Sequence, residues 1–327
     1  MDIGCLDLGS NSFHLQLFSV VNGCVQASLL DEKRAVRLGD SVFRDGAIDE
    51  STWRAGLEAF GELLVRARQQ PLDRFCAVAT SALRRADNGL QFLRALERRY
   101  GVTAELLSPD EEATIAYDGA RSSGVFDPQA RTAVIDVGGG SAEITVGRAE
   151  HVLFSDSLPL GVLRMRHAVE ALPAAERTHE GLIASIGARY GTRLRQAGAL
   201  RPTRTVFASG TARAVRKLAM GSSEQPGKTG PLTLQALQSS LERHRGSSGD
   251  ELLALGVEAA RVDTILTAHA VLIALMSGLG TDQGLVVDGG LRQGLALREE
   301  RSARLPSRSG AAPHFSTPLY DYSLAAT

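Results

Sequence analysis

A six-residue pattern occurs twice in this chain. Asp7-Leu8-Gly9-Ser10-Asn11-Ser12 and Asp136-Val137-Gly138-Gly139-Gly140-Ser141 both read D-x-G-x-x-S, 129 residues apart. Each follows an apolar segment, residues 3–8 (IGCLDL) in the first case and Ala133 to Val137 in the second. Each is followed by alternation, Leu15 and Leu17 or Ile144 and Val146. Apolar strand, glycine turn and alternating strand together predict a β-hairpin. Two unrelated hairpins could share six letters, because the match is short. A hairpin repeated at the interval of one domain instead predicts two similar halves for a chain of 327 residues.

The segments between the hairpins alternate in period. Trp53, Leu57, Phe60, Leu63 and Leu64 predict a helix over 51–70, Phe75 to Ala79 a short strand, and 88–99 an amphipathic helix. A strand over 104–107 precedes Ser108-Pro109-Asp110, which opens a helix with Glu111 and Glu112 in its first turn. In the second half, helices are expected around 161–172, 176–197, 210–218, 233–244, 248–256 and 262–279, with strands at 205–208 and 285–287. The apolar run Ile265 to Leu279 is too short to span a bilayer, which needs roughly 20 residues, and reads as a buried helix. This alternation predicts an α/β fold. Residues 221–231 (GSSEQPGKTGP) read as a surface loop. Their Gly227-Lys228-Thr229 lacks both the spacing and the preceding strand of a phosphate-binding P-loop. Beyond Arg304 the Ser/Pro/Ala-rich tail, 305–327, is expected to be poorly ordered.

The duplicated turn has a chemistry. Glycines let a backbone approach an anion, and successive N–H groups in such a turn make a concave nest for phosphate oxygens. Ser10, Ser12 and Ser141 add hydroxyl donors beside Asn11, Gly138, Gly139 and Gly140. Asp7 and Asp136, at the strand ends, cannot bind phosphate but suit Mg²⁺. Two such loops facing each other would enclose one phosphate-bearing ligand. Lys+Arg total 36 against Asp+Glu 37, a net charge of -1 that argues against coating nucleic acid or membrane by bulk charge. Cys5, Cys24 and Cys76 are odd in number with no CxxC spacing. That argues against a disulfide framework or a structural zinc and fits a reducing cytosol. No signal peptide is visible at Met1-Asp2-Ile3-Gly4. Basic clusters at Arg164/Arg166, Arg193/Arg195, Arg201/Arg204 and Arg298/Arg301/Arg304 read as solvated helix faces or as a cationic track for a long anion.

The pieces DLGSNSFHL, ATSALRRADNG, SPDEEA, VIDVGGGSAEI, SLPLGVLRM, ASGTARA and DGGLRQG occur in the order found in the exopolyphosphatase/guanosine pentaphosphate phosphatase (Ppx/GppA) family. The chain resembles that family from about residue 3 to 298, in its short two-domain form. The resemblance implies two ribonuclease H-like domains of the actin/sugar kinase/Hsp70 superfamily with an interdomain cleft. Their expected bounds are 1–124, completed by a helix near 290–304, and 125–300. It also implies a cytoplasmic, Mg²⁺-dependent hydrolase and a homodimer.

By resemblance Glu112 is the base for an attacking water, although Glu111 and Glu112 also simply suit the positive end of a helix. Glu111 reads as structural. Glu143 matches a second essential carboxylate, and its counterpart in the first repeat is His14. Asp136 is the first metal ligand and Asp7 the next. Arg84 lines the cleft, since guanidinium pairs with phosphate oxygens, while Arg85 is solvated. Ser209, Gly210 and Thr211 place a further turn where a strand meets a helix; Ser209 equally suits a plain helix cap. Asp288-Gly289-Gly290 contacts the far side of the ligand or only closes the fold. Pro109, Thr114 and Thr267-Ala268-His269 depart from the family pattern without removing a carboxylate. The expected substrate is inorganic polyphosphate, shortened from its end, or guanosine pentaphosphate in the same site. Two other readings are a phosphotransferase, which would make ATP from ADP and polyphosphate, and a non-catalytic sensor.

Overall fold

The two repeat segments are the turns of two hairpins, and each hairpin seeds a sheet. The computed structural model describes residues 1–170, 173, 177–221 and 229–304. The expected tail and residues 222–228 of the expected 221–231 loop lie outside the described residues. In chain order the first half runs β1 (Asp2–Leu8), β2 (Ser12–Val21), β3 (Cys24–Ala35), α1 (Leu38–Asp45), α2 (Glu50–Arg68), β4 (Arg74–Ala79), α3 (Ser81–Arg85), α4 (Gly89–Tyr100), β5 (Ala104–Leu106) and α5 (Pro109–Arg121). The second half opens with β6 (Arg131–Val137), β7 (Ala142–Arg148), β8 (His151–Leu158), α6 (Val162–Glu170), α7 (His179–Ala199), β9 (Arg204–Phe207) and α8 (Gly210–Met220). It continues with β10 (Gly230–Thr233), α9 (Leu234–His244), α10 (Gly249–Ala254), α11 (Ile265–Leu279), β11 (Gln283–Val286) and α12 (Leu291–Arg304).

The repeat extends to the whole sheet. The first sheet has the order β3-β2-β1-β4-β5, and the second β8-β7-β6-β9-β11 with β10 added at its edge. In both, the hairpin and the strand after it pair antiparallel, and the next two strands add in parallel. Register matches too: Asp7 faces His14 as Asp136 faces Glu143. The central strands β1 and β6 are apolar on both faces because helices cover both, as in other α/β sheets.

Five elements were not expected, one of them the five-residue helix α3. Edge strands β3 and β8 carry exposed or charged residues such as Asp31-Glu32-Lys33-Arg34, which guard an open edge and blur the alternation that marks a strand. Strand β10 starts at Gly230-Pro231, within the stretch read as loop, and helix α1 is only eight residues long. The apolar stretch at 265–279 is the buried helix α11. Among the described residues no helix is long and apolar enough to cross a membrane. Its His269 is fully buried; Nδ1–H donates to the Ile265 carbonyl at 2.8 Å and Nε2 accepts from Ser240 Oγ at 3.1 Å. Burial pushes that imidazole down to about 4, so it is a neutral core residue.

The last helix of each half covers the other half's sheet. Helix α5 packs on β6, β7 and β8, whereas α12 packs on β1, β2, β3 and β4. The two helices also cross each other at backbone contact. A β-carbon on Gly119 would lie 1.8 Å from the Gly290 carbonyl oxygen, and one on Gly294 would lie 1.9 Å from that of Ile115. Only glycine permits this approach. Gly294→Ala should therefore destabilise the protein by about 1–3 kcal/mol. Gly187→Ala, on an open face of α7, should leave it unchanged or stabilise it by about 1 kcal/mol. Urea denaturation of the two variants measures both; equal midpoints would contradict the crossing.

Candidate functional site

The matching strand ends deliver matching turns to one place. The Ser10 carbonyl accepts from Gly39 N at 2.8 Å, and the Gly139 carbonyl accepts from Leu163 N at 2.9 Å, so each turn is tied to the helix that follows its hairpin. The turns abut. A β-carbon on Gly140 would sit 2.8 Å from Ser10 Oγ and 2.6 Å from Ser81 Oγ. Ser12 and Ser141 open onto the same cleft, of about 490 Å³. Asp7, Ser10, Asn11, Glu112, Asp136, Gly138, Gly139, Gly140, Glu143, Ser209, Gly210 and Thr211 line it as well. Of the residues proposed from sequence to bind phosphate or metal or to act in catalysis, Arg84 alone is not on its wall.

Glu112 reaches the cleft because of how α5 begins. Ser108 caps the helix with Pro109 at its first position, and Glu111 closes a capping box. Its carboxylate accepts from Ser108 N at 2.8 Å, and Ser108 Oγ accepts from Glu111 N at 3.2 Å. Glu111 is thus structural and its neighbour is turned inward. Glu112 is buried, and Arg84 donates to its Oε2 at 2.9 Å while also donating to the Leu107 carbonyl at 2.6 Å. Glu143 accepts from Ser157 Oγ at 2.8 Å and is further bonded by Ser141. Ser209 Oγ accepts from Ala212 N at 3.0 Å, so this hydroxyl serves as the cap of α8.

Four carboxyl groups are therefore crowded at the floor. Burial raises all four; neighbouring carboxylates raise Glu112, Asp136 and Glu143 further, whereas at Asp7 the Arg292 guanidinium opposes the effect of burial. Asp7 is pushed up to about 6, Asp136 to about 7 and Glu143 to about 7. Glu112 lies well above the usual carboxylate range, raised by burial and then by Glu143, against the pull of Arg84. Asp7 Oδ1 and Asn11 Oδ1 are buried with no hydrogen-bond partner. Among the described residues no three His, Cys, Asp or Glu side chains stand close enough to hold an ion by themselves. Hard oxygen donors in pairs fit Mg²⁺, which keeps waters and takes further ligands from substrate phosphates.

Cations ring the opening. Lys33, Arg213, Lys217 and Arg261 line its wall, and Arg292 reaches Asp7 Oδ2 at 3.6 Å. Lys33 meets Glu258 at 3.3 Å, an ion pair from the first sheet to the second half of the chain. Beside it Arg37 and Asp40 of the first half interlock with Arg166 and Asp263 of the second, and Arg37 pairs with Asp263 at 2.5 Å. The basic clusters read from sequence are mostly engaged elsewhere. Arg193 pairs with Asp156, Arg204 donates to the Val125 carbonyl, and Arg298 and Arg301 pair with Glu105 and Asp118. The rim cations were missed. Arg292 lies in DGGLRQG and Arg213 just past Thr211, so both carried a signal; Lys33 and Arg261, isolated among surface-like charges, carried none.

The Ppx/GppA phosphatase family profile matches residues 18–303. Among solved structures the chain is similar to an exopolyphosphatase-like protein, at 22% identity over 92% of this chain and 98% of the other, with a TM-score of 0.84. It is similar to an exopolyphosphatase from Cytophaga hutchinsonii, at 20% identity, 92% and 98% coverage and a TM-score of 0.83. It is also similar to the Ppx/GppA family member of Aquifex aeolicus, at 24% identity, 94% and 99% coverage and a TM-score of 0.74. At these identities the likeness carries the fold alone, a two-sheet α/β architecture.

The raised carboxyls have a consequence for stability. Asp136 moves from 3.8 to about 7 on folding. Between those values the folded state binds more protons than the unfolded one, so stability falls as pH rises through that window. Asp136→Asn should therefore raise the thermal midpoint of metal-free protein at pH 8, and the gain should shrink towards pH 5. Differential scanning calorimetry at the two pH values reads this; a gain that grows at pH 5 would contradict the buried-carboxyl account.

Proposed function

This chain belongs to the Ppx/GppA phosphatase family, and from that premise we propose that it is an exopolyphosphatase, hydrolysing the terminal phosphate of inorganic polyphosphate in a Mg²⁺-dependent reaction. The observation that carries the reading is the juxtaposition of Glu112 with two abutting glycine turns in a single cleft rimmed by Lys33, Arg213, Lys217 and Arg261. A chain of phosphates is a dense polyanion, and such a rim attracts it at long range. Backbone N–H groups of the turns and the hydroxyls of Ser10, Ser12 and Ser141 suit the terminal phosphoryl oxygens. When bound, Mg²⁺ held by Asp136 and Asp7 would supply charge neutralisation at the phosphates.

The chemistry asks for an activated water, in line with the bond that breaks, and for stabilised charge on the transferring group. Glu112 takes the proton from the attacking water. Its raised pKa makes it a stronger base, and Arg84 fixes one of its oxygens so that the other is presented. Glu143, clamped by Ser157 and Ser141, orients the water or its shell. The anhydride bond breaks, its bridging oxygen stays with the shortened chain, and orthophosphate leaves. Arg84 is thereby assigned to positioning Glu112 rather than to gripping phosphate.

Glu112→Gln should lower turnover about 10²–10⁴-fold with little change in KM. Orthophosphate release from defined polyphosphates and from guanosine pentaphosphate, each with and without Mg²⁺, tests the substrate. Faster release from the nucleotide would move the reading to guanosine pentaphosphate hydrolysis. ATP formed from ADP and polyphosphate would move it to phosphotransfer, and retained turnover in Glu112→Gln would remove Glu112 as the base.

A further inference from the structure

Behind the second glycine turn lies another hollow, of about 210 Å³. Arg84, Arg85 and Arg164 line it with the hydroxyl-bearing Ser81, Ser141 and Ser157. It backs directly onto the reaction site: Ser81, Gly140 and Ser141 line both spaces. Arg84, on its wall, bonds Glu112, and Ser157, on its wall, bonds Glu143. The hollow has room for roughly seven waters at about 30 Å³ each. That accommodates one tetrahedral oxyanion with part of its hydration.

The charge here is unbalanced. Arg84 has Glu112, but among the described residues no ion pair involves Arg85 or Arg164; the nearby pairs with Asp40 and Asp263 belong to Arg166. Arg164 stacks on Phe43 with its guanidinium carbon 4.6 Å from the ring centroid, and its Nε is buried with no hydrogen-bond partner. Burial, and then the nearby Arg85, depress its pKa, with a smaller push from Arg84, so the guanidiniums repel one another. Convergent guanidinium forks and hydroxyl groups form the donor set that a phosphate dianion satisfies with charge-assisted hydrogen bonds.

We propose that this hollow is a second oxyanion site that binds inorganic phosphate, the product of the reaction, on the far side of the Gly140–Ser141 wall from the substrate. The assignment rests on the hydrolase reading for the word product; the binding itself does not. Phosphate held there is adjacent to Glu112 and Glu143 through Arg84 and Ser157, yet outside the cleft that takes the chain. It therefore inhibits without competing for the substrate's place.

Equilibrium dialysis with radiolabelled inorganic phosphate tests the site without turnover. Wild type should bind two phosphates per chain and the Arg85→Gln/Arg164→Gln double variant one. Arg85→Gln alone, at an exposed position, should weaken the second site about tenfold and guards against misfolding of the double variant. In steady-state assays phosphate should inhibit wild type noncompetitively against polyphosphate, and the variants should lose this inhibition with KM unchanged. Equal stoichiometry and affinity in all three proteins, or purely competitive inhibition of wild type, would overturn the proposal. Failure of the hydrolase reading looks different: wild type would release no phosphate from any phosphoanhydride while dialysis still distinguished the variants.

Discussion

The glycine contact between α5 and α12 governs the rest of the molecule. Glu112 sits in the first turn of α5 and Arg292 in the first turn of α12. Where those helices cross therefore decides where an acid and a cation meet Asp7 and Asp136. With no side chain between them at Gly119, Gly290 and Gly294, the separation is as small as backbones allow. Because each helix also covers the opposite sheet, either lobe lacks part of its core without the other. The ion pairs of Arg37, Asp40, Arg166 and Asp263 then tie the lobes on the rim side of the cleft.

The cleft floor is electrostatically expensive. Asp7, Glu112, Asp136 and Glu143 are buried together, with Arg84 and Arg292 as nearby counter-charges and an unpartnered oxygen on Asp7. A fold that keeps four acids in such a place sacrifices stability for them, and perturbed acids in a cleft are a common mark of a working site. A cation brought in with a phosphate chain relieves that crowding, which is the physical sense of placing basic residues at the mouth and acidic ones beneath.

Local features were legible and tertiary ones were not. The two turns and the cap at Ser108 follow from residues within a few positions of one another, whereas Glu112 was singled out only through the family resemblance. Edge strands β3 and β8 escaped because solvent-facing charges hide their alternation. Lys33 and Arg261 belong to the cleft only through packing, which no spacing encodes. Arg84 was legible as a guanidinium past a strand, but its turn towards Glu112 and the Leu107 carbonyl depends on where α5 begins. The basic clusters could be read either as solvated faces or as a track, because their partners, such as Asp156 and Asp118, are distant in sequence.

The correspondence of His14 with Glu143 has a wider implication. Imidazole stands in one copy where carboxylate stands in the other; burial and then Arg292 push His14 down to about 4 against the pull of Asp31, which it meets at 2.5 Å, so it is uncharged near neutrality. The scaffold has approximate dyad symmetry, and its functional groups do not. A strictly duplicated site would be blind to the orientation of a linear ligand. This one is handed: positions that correspond in the two sheets, such as His14 and Glu143, carry different chemistry and give the cleft a front and a back.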